Sequence, residues 1–308
     1  MRCVVTGASG HVGSFLTRLL LERGHEVLAV VRPTSDLWRI GDVLDRVSLA
    51  YAELEEADGL VPQLCEFRPD VTFHLAWMGV TADHRNSEAQ ITTNLLGTLK
   101  FFQAVRAARC PVFVGLGSQA EFGLYDRALT EDLPVRPVTA YGVSKLSAGL
   151  LTAKLAEISG LRHVWLRLVS TYGPKDDTRH LIPSVILQLL RGESPRLSPG
   201  GQLCDYLYVG DTAEALLSAA TAENASGVLV FGSGEVHSVR EICEKLKDLI
   251  DPGATLAFGA EPYRPDQIMH LEAEIGRIRS VTGWSPSVSL DEGLARTVAY
   301  HRAMEGAS

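Results

Sequence analysis

The amino-acid sequence predicts an α/β fold in which a doubly wound parallel sheet is joined to a smaller C-terminal cap. Short β-branched runs alternate with longer helical patterns over the first two-thirds of the chain. Several runs, such as VLAVV and VFVGL, are apolar almost throughout, which is typical of strands covered on both faces. Beyond about residue 172, Gly- and Pro-rich breaks and shorter segments replace this alternation. We therefore expect ligands at the carboxyl ends of the strands.

Six strands and three long helices follow from these patterns. The runs predict strands at 3–6, 26–31, 47–51, 71–75, 111–116 and 163–168. A first helix, ended by Gly24, is predicted from apolar residues at helical spacing: Val12, Phe15, Leu16, Leu19 and Leu20. Two longer helices are predicted over 94–109 and 141–159.

Composition and charge exclude several classes of protein. Hydrophobic residues make up 46% of the chain and charged residues 21%, which is ordinary for a globular protein. The net charge of −8 argues against a nucleic-acid partner, and no apolar run is long enough to cross a membrane. The N-terminus has no apolar stretch of signal-peptide length. The five cysteines are odd in number and form no C-x-x-C pair, so we expect a cytoplasmic protein without a disulfide framework or a metal site.

A glycine-rich turn directly follows the first predicted strand and precedes the first helix. It reads Gly7-Ala-Ser9-Gly10-His11-Val12-Gly13. Glycines allow a tight turn and a close backbone approach, and the helix N-terminus offers free amides to a pyrophosphate. The sequence therefore predicts a dinucleotide site at this turn.

The end of the second predicted strand bears on the choice of dinucleotide. NAD sites place a carboxylate there to bind the ribose 2′-hydroxyl. This chain has Val31-Arg32-Pro33-Thr34-Ser35, and the Arg32 guanidinium is suited to a 2′-phosphate. NADP(H) is thus favoured over NAD(H), the alternative being that Arg32 is a solvated arginine at a strand end.

Three residues have the chemistry of a proton-transfer site. Ser118 follows the fifth predicted strand, and Tyr141 and Lys145 lie one turn apart on one face of a predicted helix. A lysine cation beside a phenol stabilises the phenolate and lowers the tyrosine pKa toward neutrality. Tyr141 could then exchange a proton with a carbinol oxygen that Ser118 holds by a hydrogen bond.

These motifs resemble those of the extended short-chain dehydrogenase/reductases, the NAD(P)-dependent sugar epimerase/dehydratase family. The similarity runs along essentially the whole chain, through segments that include His74-Leu-Ala76, Asn94-x-x-Gly97-Thr98, Gly117-Ser118 to Gly123, Arg167 to Tyr172-Gly-Pro174, Gly201-Gln202-x-x-Asp205, Arg264-Pro265-Asp266 and Gly283-Trp284-x-Pro286. The change of pattern beyond about residue 172 predicts a dinucleotide-binding Rossmann domain at 1–172 and a mainly substrate-binding domain at 173–308, with some segments returning to the first.

The resemblance also implies which residues surround the ligands. Expected at the dinucleotide, besides the glycine turn, are Arg32, Glu53, Leu54, Leu75, Ala76, Asn94, Tyr141, Lys145, Leu168 and Val169. Expected at a nucleotide-sugar substrate are Ser118, Gln119, Tyr141, Ser170, Gln202 and Arg264. A homodimer is implied as well, built from the helices that begin near Asn94 and Tyr141. The second helix is apolar over a broad face, which fits a dimer interface. The alternative is that this broad face packs entirely within the core of one chain.

Departures from the family pattern decide between reactions. Gln119 and Ala120 stand where sugar dehydratases have an Asp-Glu pair, and Glu121 lies one residue too far along, so dehydration is disfavoured. Cys204 and Ser170 replace a usual arginine and asparagine at the substrate. Three segments, at 74–79, 117–123 and 204–209, look closest to those of nucleotide-deoxysugar 4-ketoreductases.

The first hypothesis is an NADPH-dependent 4-ketoreductase of a nucleotide-activated 4-keto-6-deoxy sugar, with hydride delivered to C4 and Tyr141 as proton donor. The alternatives are a nucleotide-sugar 4-epimerase with retained NAD and, less favoured, a non-catalytic dinucleotide-binding protein.

Overall fold

A computed structural model of the protein describes residues 1–264 and 267–306, so Pro265 and Asp266 of the Arg-Pro-Asp segment lie outside the described residues. A parallel sheet of seven strands runs through the molecule. The strands are β1 (Arg2–Thr6), β2 (Glu26–Val31), β3 (Ser48–Tyr51), β4 (Val71–His74), β5 (Val112–Ser118), β6 (Arg162–Leu168) and β7 (Gly227–Phe231). Their order across the sheet is β7-β6-β5-β4-β1-β2-β3.

This strand order confirms the predicted doubly wound α/β fold. The order reverses between β1 and β4, where Thr6 pairs with Val30 on one side and His74 on the other. The ends of these strands therefore share one edge, as a switch point for ligand binding requires. β7 was not predicted as a strand. It comes from beyond residue 172 and pairs with β6, and a five-residue apolar run cannot be assigned to a sheet without its pairing partner.

Helices cover both faces of the sheet. They are α1 (His11–Glu22), α2 (Val61–Phe67), α3 (Leu96–Ala107), α4 (Ala140–Ser159), α5 (Leu181–Leu190), α6 (Val209–Thr221), α7 (Val239–Ile250), α8 (Gly276–Thr282) and α9 (Leu290–Gly306). The core on one face contains residues of α1, α6 and α8, and the core on the other contains residues of α2, α3 and α4. This arrangement explains the apolar strands, because both faces are buried.

The helix predicted over 94–109 differs at its start. A wider π-helical turn, Gln90–Leu95, precedes α3. Within it, Gln90 and Asn94 direct their amides to the loop after β4. The Gln90 side chain donates to the Gly79 carbonyl at 2.8 Å and the Asn94 side chain to the Met78 carbonyl at 2.9 Å. These bonds fix the loop that reaches the candidate site.

A C-terminal lobe packs beside the sheet, with a core formed by residues of α5, α7 and α9. Short strands join its loops: Thr171–Tyr172, Arg196–Leu197, Leu203–Cys204, Leu207–Tyr208, His237–Ser238, Ala257–Phe258 and His270–Leu271. The domain boundary at residue 172 stays a prediction, and β7 and α6 lie beyond it in the sequence. None of the helices in the described ranges is long and apolar enough to cross a membrane.

The glycine turn gives a test of the fold. A Cβ at Gly13 would collide with the Gly7 carbonyl oxygen, whereas a Cβ at Gly41 would meet nothing within 4 Å. Overpacking of this kind costs about 1–3 kcal/mol or more. We expect Gly13→Ala to lower the free energy of unfolding by at least this amount in urea denaturation. Gly41→Ala, the matched control, should unfold like the wild type, and equal stability of the two variants would contradict the packing described.

Candidate functional site

The glycine turn forms a backbone cradle between β1 and α1. Gly7 has a φ of +70°, and a Cβ there would lie 2.8 Å from the Ala76 backbone nitrogen. The Gly10 N–H donates to the Gly7 carbonyl at 2.9 Å, and the Ser14 N–H donates to the Gly10 carbonyl at 3.0 Å. The turn therefore brings bare backbone to the positive end of α1, which is the chemistry a pyrophosphate requires.

A cavity of about 200 Å³ adjoins this turn and extends over the ends of β1, β2 and β4. Eight residues predicted at the dinucleotide line it: Gly7, Ser9, Gly10, Arg32, Glu53, Leu54, Leu75 and Ala76. The sequence missed Trp77 and Met78, which also line the cavity, because loop residues after a strand carry no periodic signal. The residues present fit a dinucleotide, with a glycine cradle at the turn and an apolar pocket beside it.

Other residues predicted at the dinucleotide lie outside this cavity. The His11 ring turns toward the C-terminal lobe, where its Nε2 hydrogen-bonds the Pro174 carbonyl at 3.1 Å. Val12 packs into the apolar cores, and Leu168 ends β6. The buried Asn94 side chain accepts a hydrogen bond from the Met78 N–H at 2.8 Å. It therefore fixes Met78, which lines the cavity, without lining the cavity itself.

Arg32 lies in the cavity wall at the end of β2. Its backbone N–H donates to the Ser35 hydroxyl at 3.2 Å, and its Nη1 lies 3.2 Å from the Met78 sulfur. β2 ends at Val31 and Arg32 follows it, with no carboxylate at that point. The structure thus brings a guanidinium and a hydroxyl together where the predicted 2′-phosphate contact would be.

Ser118, Tyr141 and Lys145 meet at the carboxyl end of β5, as predicted for a proton-transfer site. Ser118 and Tyr141 line the same cleft, and the Ser118 hydroxyl acts to lower the pKa of the Tyr141 phenol. The buried Lys145 ammonium donates to the Leu116 carbonyl at 2.6 Å and lies 3.9 Å from the centroid of the Trp77 ring. Trp77 in turn packs edge-to-face against Tyr141, with ring centroids 6.1 Å apart.

Burial dominates the protonation of this site. It raises the pKa of Tyr141, opposed by the Ser118 hydroxyl and the Arg85 guanidinium and assisted by the Glu121 charge. Burial also lowers the pKa of Lys145 to about 7, against the attraction of Glu121. The pKa of Tyr141 is therefore raised rather than drawn toward neutrality, because burial outweighs the nearby cations.

Glu121 has a role that the sequence did not reveal. It is fully buried, and its Oε1 accepts hydrogen bonds from the Ser118 N–H at 2.8 Å and the Trp165 indole at 3.0 Å. Its Oε2 accepts from Arg167 Nε at 2.7 Å. The Ser118 hydroxyl accepts from the Ala120 N–H, which completes a capping box. Glu121 therefore positions Ser118 and does not face the cleft.

A second cleft, of about 470 Å³, opens from Tyr141 toward the C-terminal lobe. The predicted residues that line it are Ser118, Gln119, Tyr141, Val169, Ser170 and Arg264. The predicted Gln202 does not, since its side-chain amide donates to the Ser198 hydroxyl at 3.1 Å. Cys204 does line the cleft, and burial raises the pKa of its thiol to about 11, so this position carries no charge.

Two basic side chains in the cleft stand outside the set of residues expected at the substrate. Arg85 lies beside Tyr141, and His180 lies at the start of α5. His180 Nδ1 hydrogen-bonds the Asp176 carboxylate at 2.9 Å, which raises the pKa of the imidazole. A histidine paired in this way can contribute positive charge where the family arginine is replaced by Cys204.

The helix α4 carries a tyrosine and a lysine one turn apart. The first strand of the sheet, β1, leads into the glycine-rich turn. This is the arrangement of the short-chain dehydrogenase/reductase class. The chain belongs to the NAD dependent epimerase/dehydratase family, which matches residues 3–232.

Relatives extend the similarity to the whole chain. UDP-glucose 4-epimerase of Mycolicibacterium smegmatis is 28% identical, over 98% of this chain and 99% of that protein. The structure of Thermus thermophilus UDP-glucose 4-epimerase in complex with NAD has a TM-score of 0.87 and 26% identity, covering 98% of this chain and 99% of that one. MoeE5 in complex with UDP-glucuronic acid and NAD has a TM-score of 0.83 and 29% identity, covering 99% of this chain and 100% of that one.

The buried lysine gives a stability test. The pKa of Lys145 falls from 10.5 to about 7 on folding, so between these values the unfolded chain binds a proton that the folded chain lacks. Stability must then rise with pH across this window, by a few kcal/mol in total at about 1.4 kcal/mol per pKa unit. We expect Lys145→Met to gain stability relative to wild type at pH 7, with the difference shrinking toward pH 10.

Thermal unfolding from pH 6 to pH 10 measures this effect. Lys154→Met is the matched control, since Lys154 is exposed on the same helix and pairs with Glu157. A difference between Lys145→Met and wild type that stays constant over this range would contradict the lowered pKa of Lys145.

Proposed function

We propose that the protein is a nucleotide-sugar 4-epimerase that retains its dinucleotide. The observation that carries the proposal is that Ser118 and Tyr141 line one cleft together, with no carboxylate at 119 or 120. Such a pair can deprotonate and reprotonate a carbinol at one carbon, but it offers no second acid or base for elimination. The full-length similarity to 4-epimerases supports the same reaction.

The dinucleotide would be held by the glycine turn, with Glu53 and Leu54 near its adenine and Leu75 and Ala76 along the wall. When bound, it supplies the redox chemistry at C4. Lys145 and Val169 would contact its nicotinamide half, which has to reach Tyr141 for the two groups to act on one carbon. Asn94 would act indirectly, through the Met78 loop.

Tyr141, in its phenolate form, would take the proton of the C4 hydroxyl as the sugar is oxidised, and the phenol so formed would return it when the ketone is reduced on the other face. Ser118 would hold the same oxygen by a hydrogen bond throughout. Its hydroxyl is well placed for this task, because Glu121 and Ala120 fix its backbone and orientation. Between the two half-reactions, the raised pKa of Tyr141 keeps the proton on the phenol, ready for the ketone.

The substrate would be a uridine diphosphate sugar, as the relatives suggest. Arg264 and His180 line the cleft and would contact the diphosphate, and Gln119 and Ser170 would contact the sugar. Charge-assisted hydrogen bonds to phosphate favour arginine and protonated histidine in this role.

A second candidate is the NADPH-dependent 4-ketoreductase of a 4-keto-6-deoxy sugar. One specific observation favours it: Arg32 and Ser35, rather than a carboxylate, follow β2 in the wall of the cavity. The two reactions use the same Ser118, Tyr141 and Lys145. An epimerase purifies with bound dinucleotide and needs no added reductant, whereas a ketoreductase consumes NADPH stoichiometrically.

We propose a homodimer because α3 and α4 carry exposed apolar side chains. Leu96, Val143, Leu150, Leu151 and Ile158 are between 44% and 68% exposed. An apolar face of this width on two adjacent helices favours burial against a second copy. A monomeric mass by light scattering at micromolar concentration would contradict it.

We propose a cytoplasmic location because of the state of the cysteines. All five are free, and burial raises the pKa of Cys3 and Cys243 to about 12, which keeps them as thiols. Unpaired cysteines are typical of a reducing compartment.

Removing the phenol hydroxyl tests catalysis. We expect Tyr141→Phe to lower turnover of a nucleotide sugar by about 10²–10⁴-fold, because it deletes the proton donor and acceptor. Dinucleotide binding, measured by fluorescence titration, should change little, since the ring remains. If the variant keeps most of its rate, the role of Tyr141 is wrong. If the wild type binds dinucleotide but turns over no nucleotide sugar, the protein is a non-catalytic dinucleotide-binding protein.

Replacing the guanidinium tests the cofactor. If Arg32 binds a 2′-phosphate, Arg32→Ala should lose about tenfold or more in NADPH affinity and leave NADH affinity nearly unchanged. The loss should shrink at high salt, because ions screen an exposed charge pair. Equal affinity of wild type and variant for both cofactors would remove the support for the ketoreductase and leave the epimerase.

A further inference from the structure

Arg85 carries a guanidinium group to the part of the cleft next to Tyr141. Its Cζ lies 5.8 Å from the centroid of the Tyr141 ring. Two hydrogen bonds fix the loop to the start of α4: the Tyr141 N–H donates to the Arg85 carbonyl at 2.8 Å, and the Ala140 N–H donates to the Asn86 side chain at 3.0 Å. The position of this cation relative to the reactive phenol is therefore set by the backbone.

This guanidinium is half-buried and, among the residues that the structure describes, has no protein anion as a partner. Its Nε donates to the Val80 carbonyl at 3.1 Å. Within residues 1–264 and 267–306, its two Nη groups donate no hydrogen bond and form no ion pair. Asp176, the only carboxylate among the described residues of the cleft, is paired with His11 and His180. Partly desolvated charges are normally paired, so the free N–H groups indicate an anion on the ligand.

The connectivity of a hexose decides which anion this is. C4 has to meet Tyr141 for the proposed reaction to occur. C1, which bears the diphosphate, lies across the ring from C4, and His180 and Arg264 remain available to it. C5 is bonded to C4 and bears C6. An anionic group beside the reacting carbon is therefore a carboxylate at C6, to which an arginine fork is complementary.

We propose that the substrate is a nucleotide-linked hexuronic acid and that Arg85 binds its C6 carboxylate. The inference rests on the proposed function, since it requires C4 of a sugar at Tyr141. Arg85 thereby selects among sugars, while Ser118 and Tyr141 carry out the chemistry common to all of them.

The experiment compares UDP-glucuronic acid with UDP-glucose, which differ only at C6, in the presence of NAD. For the wild type we expect kcat/KM to be at least about tenfold higher with UDP-glucuronic acid. Arg85→Gln should lower that value by about tenfold or more, chiefly through KM, and change the value for UDP-glucose less than about threefold. Arg85→Lys should restore part of the preference, because the charge remains but the fork does not.

Arg127→Gln is the matched control, because Arg127 also lies over a tyrosine ring, 5.9 Å from the centroid of Tyr125, but outside the cleft. It should leave both substrates unaffected. An equal loss for both substrates in Arg85→Gln would mean that Arg85 acts on Tyr141 and would overturn the inference. A wild-type preference for UDP-glucose would overturn it as well, while leaving the epimerase in place. Turnover of neither substrate would contradict the proposed function itself.

Discussion

Glu121 is fully buried at the carboxyl ends of β5 and β6, and its carboxylate accepts hydrogen bonds from the Ser118 backbone, the Trp165 indole and the Arg167 guanidinium. Loss of one of these donors would leave a buried charge incompletely paired, which costs several kcal/mol. If Ser118 moved away from β6, its N–H would no longer donate to the Glu121 carboxylate, and the structure would be destabilised by this amount. The precision of the proton-transfer site depends on a carboxylate that never contacts the cleft.

A second shared carboxylate connects the start of α1 to the second cleft. Asp176 lies between His11, from the glycine turn, and His180, from the start of α5, at 3.4 Å and 2.9 Å. Burial lowers the pKa of His11, whereas pairing with Asp176 raises that of His180. Of the two histidines, His180, which lines the second cleft, is therefore the one more readily protonated.

The parts predictable from the sequence are those whose signal is local. The glycine turn is read from its spacing between strand and helix, and Tyr141 and Lys145 from their separation by one helical turn. Arg85 and Glu121 could not be found in this way, because their partners are distant in sequence or appear only when strands pair. Gln202 was placed by resemblance to a motif, and the structure directs its side chain to Ser198 instead. The raised pKa of Tyr141 likewise depends on burial, which residue spacing does not report.

The Trp165 indole, 1% exposed, occupies the space that side chains would need at Gly115 and Gly117 on β5 and at Gly149 on α4. One large ring on β6 therefore governs three positions on two other elements. A larger residue at Gly115 or Gly149 is compatible with the fold only together with a smaller residue at 165, and one at Gly117 would also meet the Glu121 carboxylate. These four positions should consequently change as a unit during evolution, and loss of the indole also removes a donor to Glu121. The size of the ring and the placement of Ser118 are thus inherited together.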